Sequence, residues 1–452
     1  MTTTGLRPQP APPAPPRTDA AAPPGDVPPP PVSTLRRVLA HPRFMHHHRL
    51  VAAVLAANAG LLAYGLAAGW WRGPGAAEAL GAAALANVAL AVLVRQQHVI
   101  NLLFWLATRA PTRWPLRIRA TLGKVYHFGG LHVGGALAGT AWYLGQLGAL
   151  TAAGGRGPGG AAALATGYAT AGLLLAVVGT ALPPVRARRH DLFERTHRLG
   201  GWAALLLLWA QAGFLAGGPV ALAGSPQGWA LAGLTASIAL PWLRLRRVPV
   251  VVERPSSHVA LVHFDHGVTP FPGSSTAISR SPLWEWHSFA NVPAPGRSGF
   301  RLTVSRAGDW TGRFIDDAPQ RVWVKGISTA GVANVETLFR RVVYVATGSG
   351  IGPVLPHLLA EQVPARLVWV ARRHRETFGA ALVDEILAHQ PDALLWDTAR
   401  DGKPDMLRLA WQAYRQFDAE AVICISNRPL TWQVVRGMEE RGVPAYGAIW
   451  DS

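Results

Sequence analysis

The sequence predicts a six-helix transmembrane bundle followed by a small antiparallel β-barrel and an α/β doubly wound parallel sheet. Three observations carry this expectation. Six apolar segments fall between Leu50 and Leu243, each near the ~20 residues that a bilayer core demands. After Val248 the pattern turns to short alternating strands set between Pro/Gly turns. From Arg341 onward, strands alternate with helices, the pattern of a sheet wound on both faces. Half of the 452 residues are hydrophobic and only 15% are charged, too apolar a balance for an ordinary soluble enzyme.

Residues 1–33 form a Pro/Ala-rich tract with almost no apolar bulk, which predicts a disordered tail. No apolar core follows a basic start there, so it does not read as a signal peptide. The transmembrane domain is expected over 34–247, with segments at 50–70, 76–94, 125–150, 160–182, 198–217 and 228–243. Small residues pervade them and suit close helix packing in lipid. Basic residues gather before the first segment, between the second and third, around the fourth-to-fifth connection and after the sixth. The opposite loops hold only Arg72 and Arg156. Positive charge stays inside, so both termini are expected in the cytoplasm, in the inner membrane of a bacterium. The net charge of +18 therefore reports topology. With no aromatic–basic stripe and no nucleic-acid module, nucleic acid is excluded as a partner and the lipid bilayer is expected instead. Cys424 is the only cysteine, which excludes internal disulfides and thiolate-held zinc or iron–sulfur sites.

The barrel is expected over 248–338, with strands at 250–253, 259–264, 276–279, 283–290, 300–305 and 322–325. The α/β domain follows over 339–452, with strands at 342–346, 366–371, 393–397 and 421–426. Its first strand breaks into Thr347-Gly348-Ser349-Gly350, then Gly352 and Pro353 open a helix. Glycines there let backbone N–H groups approach a pyrophosphate, and the helix N-terminus favours that anion. Proline suits a first helical turn because its missing donor costs nothing there.

This G-x-G-x-G-P spacing resembles the nicotinamide-nucleotide motif of the ferredoxin–NADP reductase superfamily. Six membrane helices ahead of a barrel and a nucleotide fold resemble the ferric reductases and NADPH oxidases. The resemblance implies a cytoplasmic reductase unit that uses NADPH or NADH and FAD and passes electrons to a small-molecule acceptor. The family's flavin strand, often HPFT, aligns with His287-Ser288-Phe289-Ala290, where Ala290 replaces the hydroxyl residue. His287 reads either as an FAD-binding residue or as a strand histidine beside a Trp-rich core. Ser288 supplies the hydroxyl only if the register slips, which would turn it to the other face. Gly308-Asp309-Trp310-Thr311 resembles the GxWT segment of ferric reductases. Lys325 and the following Ser/Thr pair stand where a GPYG-like loop is usual, with charge and donors for phosphate.

In the nucleotide domain, Arg372 and Arg373 follow the second strand, where a 2′-phosphate would meet guanidinium groups. Cys424 matches the cysteine beside the nicotinamide in the family's Cys-Gly-Pro, but Ile425 and Ser426 stand in place of the glycine and proline; a buried packing cysteine is the other reading. Trp450 stands where the family places an aromatic over the flavin, and a closing core tryptophan is its alternative. The family's two-haem members carry paired histidines on two helices. Here His127, His132 and His197 lie near the cytoplasmic side and no segment has an outer-leaflet histidine. One inner b-type haem between His197 and either His127 or His132 stays open beside plain interfacial histidines. Without an outer centre, transmembrane ferric reduction is not expected.

The pieces YHFGGLHVG, RETFGAALVDEI and ISNRPLTWQVVRGMEERGVPAYGAIWDS resemble a branch of membrane proteins found fused to adenylate-forming modules in filamentous fungi. That resemblance implies a separate adenylate-forming enzyme as a partner. Two functions are expected from it. One is a membrane-anchored NAD(P)H-dependent flavin oxidoreductase whose acceptor is the haem, a quinone or a membrane-bound compound. The other is a non-catalytic redox sensor or scaffold with a degenerate flavin site, which Ala290 and the altered GPYG loop favour.

Overall fold

A computed structural model describes residues 27–28, 41, 44–73, 75–156, 159–293 and 298–448. Trp450 and nearly all of the expected disordered tail lie outside the described residues. Each apolar segment is helical. These helices are α1 (His46–Ala67), α2 (Ala76–Leu93), α5 (Gly129–Ala152), α6 (Gly160–Ala181), α7 (Gly201–Leu215) and α8 (Pro226–Leu243). Among the described residues four stretches are long and apolar enough to cross a membrane: α1, α2, α6 and His190–Leu215, which contains α7. Four of the six expected spans therefore meet that criterion. Helix α5 is rich in glycine and sits at the centre of the group, where it needs closeness more than hydropathy. A Cβ at Gly135 would stand 2.8 Å from the Asn87 carbonyl oxygen of α2. Polar side chains join the helices internally: Asn58 and Asn87 exchange amide hydrogen bonds of 2.9 and 2.8 Å, and Trp142 Nε1 donates to Asn58 Oδ1. Such bonds stabilise helix contacts wherever water is excluded.

The basic stretch between α2 and α5 is not a bare loop. It forms α3 (Gln97–Thr108), α4 (Leu116–Leu122) and a 3₁₀ turn, Gly123–Phe128, that dock on the α/β domain. Gln96 caps α3 by accepting from the amides of His98 and Val99. Arg119 is buried; its Nη1 pairs with Glu420 at 2.7 Å and donates to the Leu338 carbonyl. Lys124 pairs with Glu439 and donates to the Ala445 carbonyl at 2.6 Å. Tyr446 Oη donates to the Ala120 carbonyl, and a Cβ on Gly123 would stand 2.7 Å from the Tyr446 ring. Two of the charges that read as topology signals are thus docking contacts.

The antiparallel sheet runs in the order β1-β7-β4-β5-β6-β3-β2, with β8 paired to β4. It begins at β1 (Leu245–Pro249) and continues directly into β2 (Val251–Glu253), so its two edges come from one continuous chain and the sheet curls almost to a barrel. Strand β1 escaped the sequence reading because Arg246 and Arg247 look like a charged loop, although Val248 faces the core. Strand β5 (His287–Pro293) starts later than expected. Residues 283–286 form a turn, held by Glu285 accepting from the Arg280 and Ser281 amides and by Trp286 Nε1 donating to the Pro282 carbonyl. The other strands are β3 (Val259–Phe264), β4 (Ser274–Ser279), β6 (Phe300–Ser305), β7 (Arg321–Lys325) and β8 (Thr329–Ala330), with α9 (Asp309–Asp317) after β6.

The parallel sheet has the order β11-β10-β9-β12-β13. Its strands are β9 (Val342–Thr347), β10 (Ala365–Ala371), β11 (Leu394–Asp397), β12 (Ala421–Ile425) and β13 (Ala445–Tyr446). Helices α10 (Ile351–Ala360), α11 (Ala380–His389), α12 (Met406–Gln416) and α13 (Arg428–Glu440) cover its faces. Strand order reverses between β9 and β12, so a crevice opens beyond their carboxyl ends, where doubly wound sheets bind ligands.

Replacing Glu420 by Gln should strand the buried Arg119 cation and lower stability by about 2 kcal/mol, read from a urea titration. Burial opposes ionisation of the Glu420 carboxyl, yet Arg119 and Arg340 hold its pKa below the ordinary 4.5. Its contribution is therefore present above that pH and lost as pH falls through the folded value, so Glu420→Gln and the parent should converge in acid.

Candidate functional site

The glycine turn lies in that crevice. Gly348 has φ of +48°, a left-handed conformation that disfavours any side chain. A Cβ on Gly350 would stand only 2.0 Å from the Ile425 carbonyl oxygen at the end of β12. Thr347 and Ser426, the residues ending the two strands, share a hydroxyl–hydroxyl bond of 2.5 Å. Trp369 of β10 donates from Nε1 to the Gly348 carbonyl at 3.1 Å. The turn is therefore held from both neighbouring strands, with Gly352 buried and Pro353 exposed in the first turn of α10. This arrangement suits a pyrophosphate.

A cavity of about 700 Å³ has walls from four parts of the chain. Strand β5 and the turn before it contribute Trp286, His287, Ser288 and Phe289, and α9 contributes Thr311. Arg428, directly after the Ser426–Asn427 end of β12, supplies another wall. The connection after α6 closes the cavity with Pro183, Arg186, Ala187 and His190. Four of the residues expected to bind FAD thus come together. The lining combines aromatic walls, hydroxyls and a basic rim, which suits a flat heteroaromatic ring bearing an anionic tail.

Detail within the cavity differs from expectation. His287 stacks on Trp310 with ring centres 3.8 Å apart, and its Nε2 lies 3.2 Å from Glu285 Oε2. Phe289 faces the same indole, and β5 pairs with β4 without a slip, Ser288 opposite Ala277. Ser288 therefore keeps the strand face opposite to that of His287 and Phe289. Thr311 Oγ1 accepts from the Ala307 and Gly308 amides, so it shapes the turn as well as lining the wall.

Three expectations are corrected. Lys325 does not line the cavity; its ammonium lies over the rings of Trp286 and Trp242, at 4.5 and 5.5 Å. Desolvation by burial, with Arg198 adding to it, pushes its pKa down to about 8. Cys424 is wholly buried in β12, and burial pushes its thiol up to about 12, which leaves it packing rather than catalytic work. His127 does not face His197. It stacks with His46 and Tyr126, while the ring centres of His132 and His197 are 5.9 Å apart. His132 Nδ1 donates to the Ala91 carbonyl at 2.8 Å, which leaves Nε2 for another partner. The His132 and His197 rings meet edge to face, at 72°. No cluster of three or more metal-ligating side chains occurs among the described residues.

Arg372 and Arg373 directly follow β10 and are exposed; Arg373 also bonds Asp397 through its amide and Glu376 through its guanidinium. Arg186, His190 and Arg428 were not anticipated. Arg186 reads in the sequence only as a topology charge, and nothing in the sequence singles out His190. Arg428 was foreseeable from Asn427 and Pro429, a helix-start signature at the ligand end of a strand.

Residues 332–452 match the family described as adenylate-forming reductase 03009, C-terminal domain. Two curated relatives, adenylate-forming reductases 03009 and 06235 of Coprinopsis cinerea, are each 43% identical over 429 residues. The alignment takes in 92% of this chain and 41% of each relative, so the chain spans well under half of their length. Among solved structures, a Neisseria gonorrhoeae ferredoxin NADP+ reductase with bound FAD and NADP is 12% identical with a TM-score of 0.37, covering 45% of this chain and 98% of its own. A flavohemoglobin from Malassezia yamatoensis with bound FAD and heme is 14% identical with a TM-score of 0.39, covering 82% of this chain and 97% of its own.

Substituting Gly350 by Ala should drive a methyl into the Ile425 carbonyl and weaken dinucleotide binding more than Gly348→Ala. The latter meets open space and costs only the left-handed strain of about 1 kcal/mol; titration of NADPH fluorescence reads both. Lys325 gives a separate pH signature. The folded chain releases its proton near pH 8, whereas an unfolded lysine holds it to about 10.5. The unfolded state thus binds more protons between those values, and stability should rise with pH there. Urea midpoints of Lys325→Met should lack that rise.

Proposed function

We propose that the chain is a membrane-anchored NAD(P)H-dependent flavin oxidoreductase working on the cytoplasmic face. The observation that carries this reading is the Thr347–Ser426 hydrogen bond, which ties the strand leading into the glycine turn to the strand end two residues before the cavity-lining Arg428. The backbone amides of the turn hold the pyrophosphate of NAD(P)H, and Arg372 and Arg373 take its ribose end. Arg428, His287 and the walls of Trp286 and Phe289 hold FAD. When bound, NAD(P)H supplies a hydride and FAD divides it into single electrons. The residues of the site orient these groups and exclude water between them.

The apolar helices support anchoring in a bilayer, and the His132–His197 pair supports one inner haem as the next acceptor. A quinone or the membrane-bound product of an adenylate-forming partner would stand in the same position. The similarity to adenylate-forming reductases supports that last choice. A non-catalytic nucleotide sensor is the second reading, favoured by His287 already having Glu285 and Trp310 as partners.

An absorption spectrum of the detergent-purified protein before and after NADPH decides between them. A flavin band that bleaches is expected, with a Soret band that His132→Ala removes while leaving the flavin band in place. His287→Ala should loosen FAD by about tenfold, ~1.4 kcal/mol. A colourless protein that still binds NADPH would favour the sensor and refute the oxidoreductase.

A further inference from the structure

Helix α3 has two apolar faces, and only one is used. Ile100 and Phe104 are buried against the reductase half, and Ala107 is buried beside them. Gln97 Nε2 donates to the Ile327 carbonyl, Asn101 Nδ2 donates to Ser328, and Asn101 Oδ1 accepts from the Ala330 amide, all at 2.9 Å. These bonds fix the rotation of the helix, so its other face cannot turn inward. On that face Leu102 (52% exposed), Trp105 (51%) and Leu106 (56%) stand open at i, i+3 and i+4. Trp114 (44%) and Ile118 (46%), before and within α4, continue the apolar surface. Exposed Arg109, Arg113 and Arg117 accompany it, and the Arg109 guanidinium lies 4.3 Å from the Trp105 ring centre.

From this we infer that α3 and α4 form a membrane-surface anchor that lies among anionic lipid headgroups. The inference rests on the membrane reading proposed above. Three residues separate the end of α2 at Leu93 from the start of α3. At 1.5 Å per residue all of α3 spans only ~18 Å, so the open stripe cannot stray far from where α2 leaves the bilayer. Tryptophan, leucine and arginine on one surface is the composition of an interfacial helix, with arginines meeting lipid phosphate. The other face of α3 grips the Ile327–Ala330 segment, so the anchor would hold the reductase half at a set height above the lipid.

Cys424, the sole native cysteine, is buried, so a nitroxide can be directed to introduced sites. Labels at Leu106→Cys, at Leu206→Cys on the lipid-facing side of α7, and at exposed Asp392→Cys are compared in vesicles of phosphatidylglycerol and phosphatidylcholine. Collision with oxygen relative to a water-soluble nickel chelate should be about threefold higher at 106 than at 392, and highest at 206. It should fall at 106 when Arg109, Arg113 and Arg117 are changed to Gln. A water-like label at 106 with a lipid-like label at 206 overturns the anchor and leaves the membrane reading intact. Water-like labels at both overturn both. Spin–spin broadening at 106 between copies would show a second copy covering the stripe, and that also overturns the anchor.

Discussion

Arg119 is a buried cation, and burying it requires a carboxylate to meet it. Glu420 does so from the residue just before β12, across 301 positions of sequence. That pair, with Lys124–Glu439 and the Tyr446 ring packed on Gly123, ties the segment between two apolar helices to β12, α13 and the edge strand β13 of the parallel sheet. A buried pair of this kind adds little net stability, because desolvation offsets attraction. Its effect is geometric, since any other docking strands a charge. With the docking set, the connection after α6 comes to lie over β5, and Arg186 and His190 become cavity wall. The cavity therefore depends on how the helical half is seated, not on the two sheet domains alone.

The same contact explains why Gly350 is intolerant of change. The parallel sheet is held at β12 by Glu420, which also accepts from the Arg340 amide just ahead of β9. Both switch-point strands are thus anchored at their amino ends by one carboxylate. Their carboxyl ends, Thr347 and Ser426, are joined by hydroxyls. Between these two ties the turn has no freedom to retreat from the Ile425 carbonyl. Glycine at 350 is a requirement of closeness, whereas glycine at 348 is a requirement of conformation.

Much of this was legible in the sequence where periodicity and turn chemistry act locally. The strand–glycine–helix unit, the helical segments and most strands fall where the apolar pattern puts them, because a buried parallel strand and an apolar helix leave few alternatives. The failures share a different cause. Lys325, Arg119 and Lys124 look identical to solvated charges until the elements that bury them are in place. Strand β1 was missed because Arg246 and Arg247 face outward on either side of no obvious period. Cys424 and His127 matched a family pattern by position, but what decides their chemistry is the packing around them. Arg186 and His190 belong to a site made only by tertiary docking, for which no spacing exists to be read.

The choice of His132 over His127 bears on where electrons would go. His127 precedes α5 in a 3₁₀ turn, so its ring is directed to His46 and Tyr126. His132 is one full turn into α5, and its Nδ1–H is taken by Ala91 of α2, which orients the ring toward His197. A histidine with one nitrogen so engaged is prepared as a ligand through the other. On the topology proposed above, that pair sits at the cytoplasmic end of the helices, on the same side as the cavity. No histidine stands near the far ends of these helices to receive an electron next. Under the function proposed above, the acceptor would approach from the cytoplasm or along the inner leaflet. That constraint favours a membrane-associated substrate over one released outside.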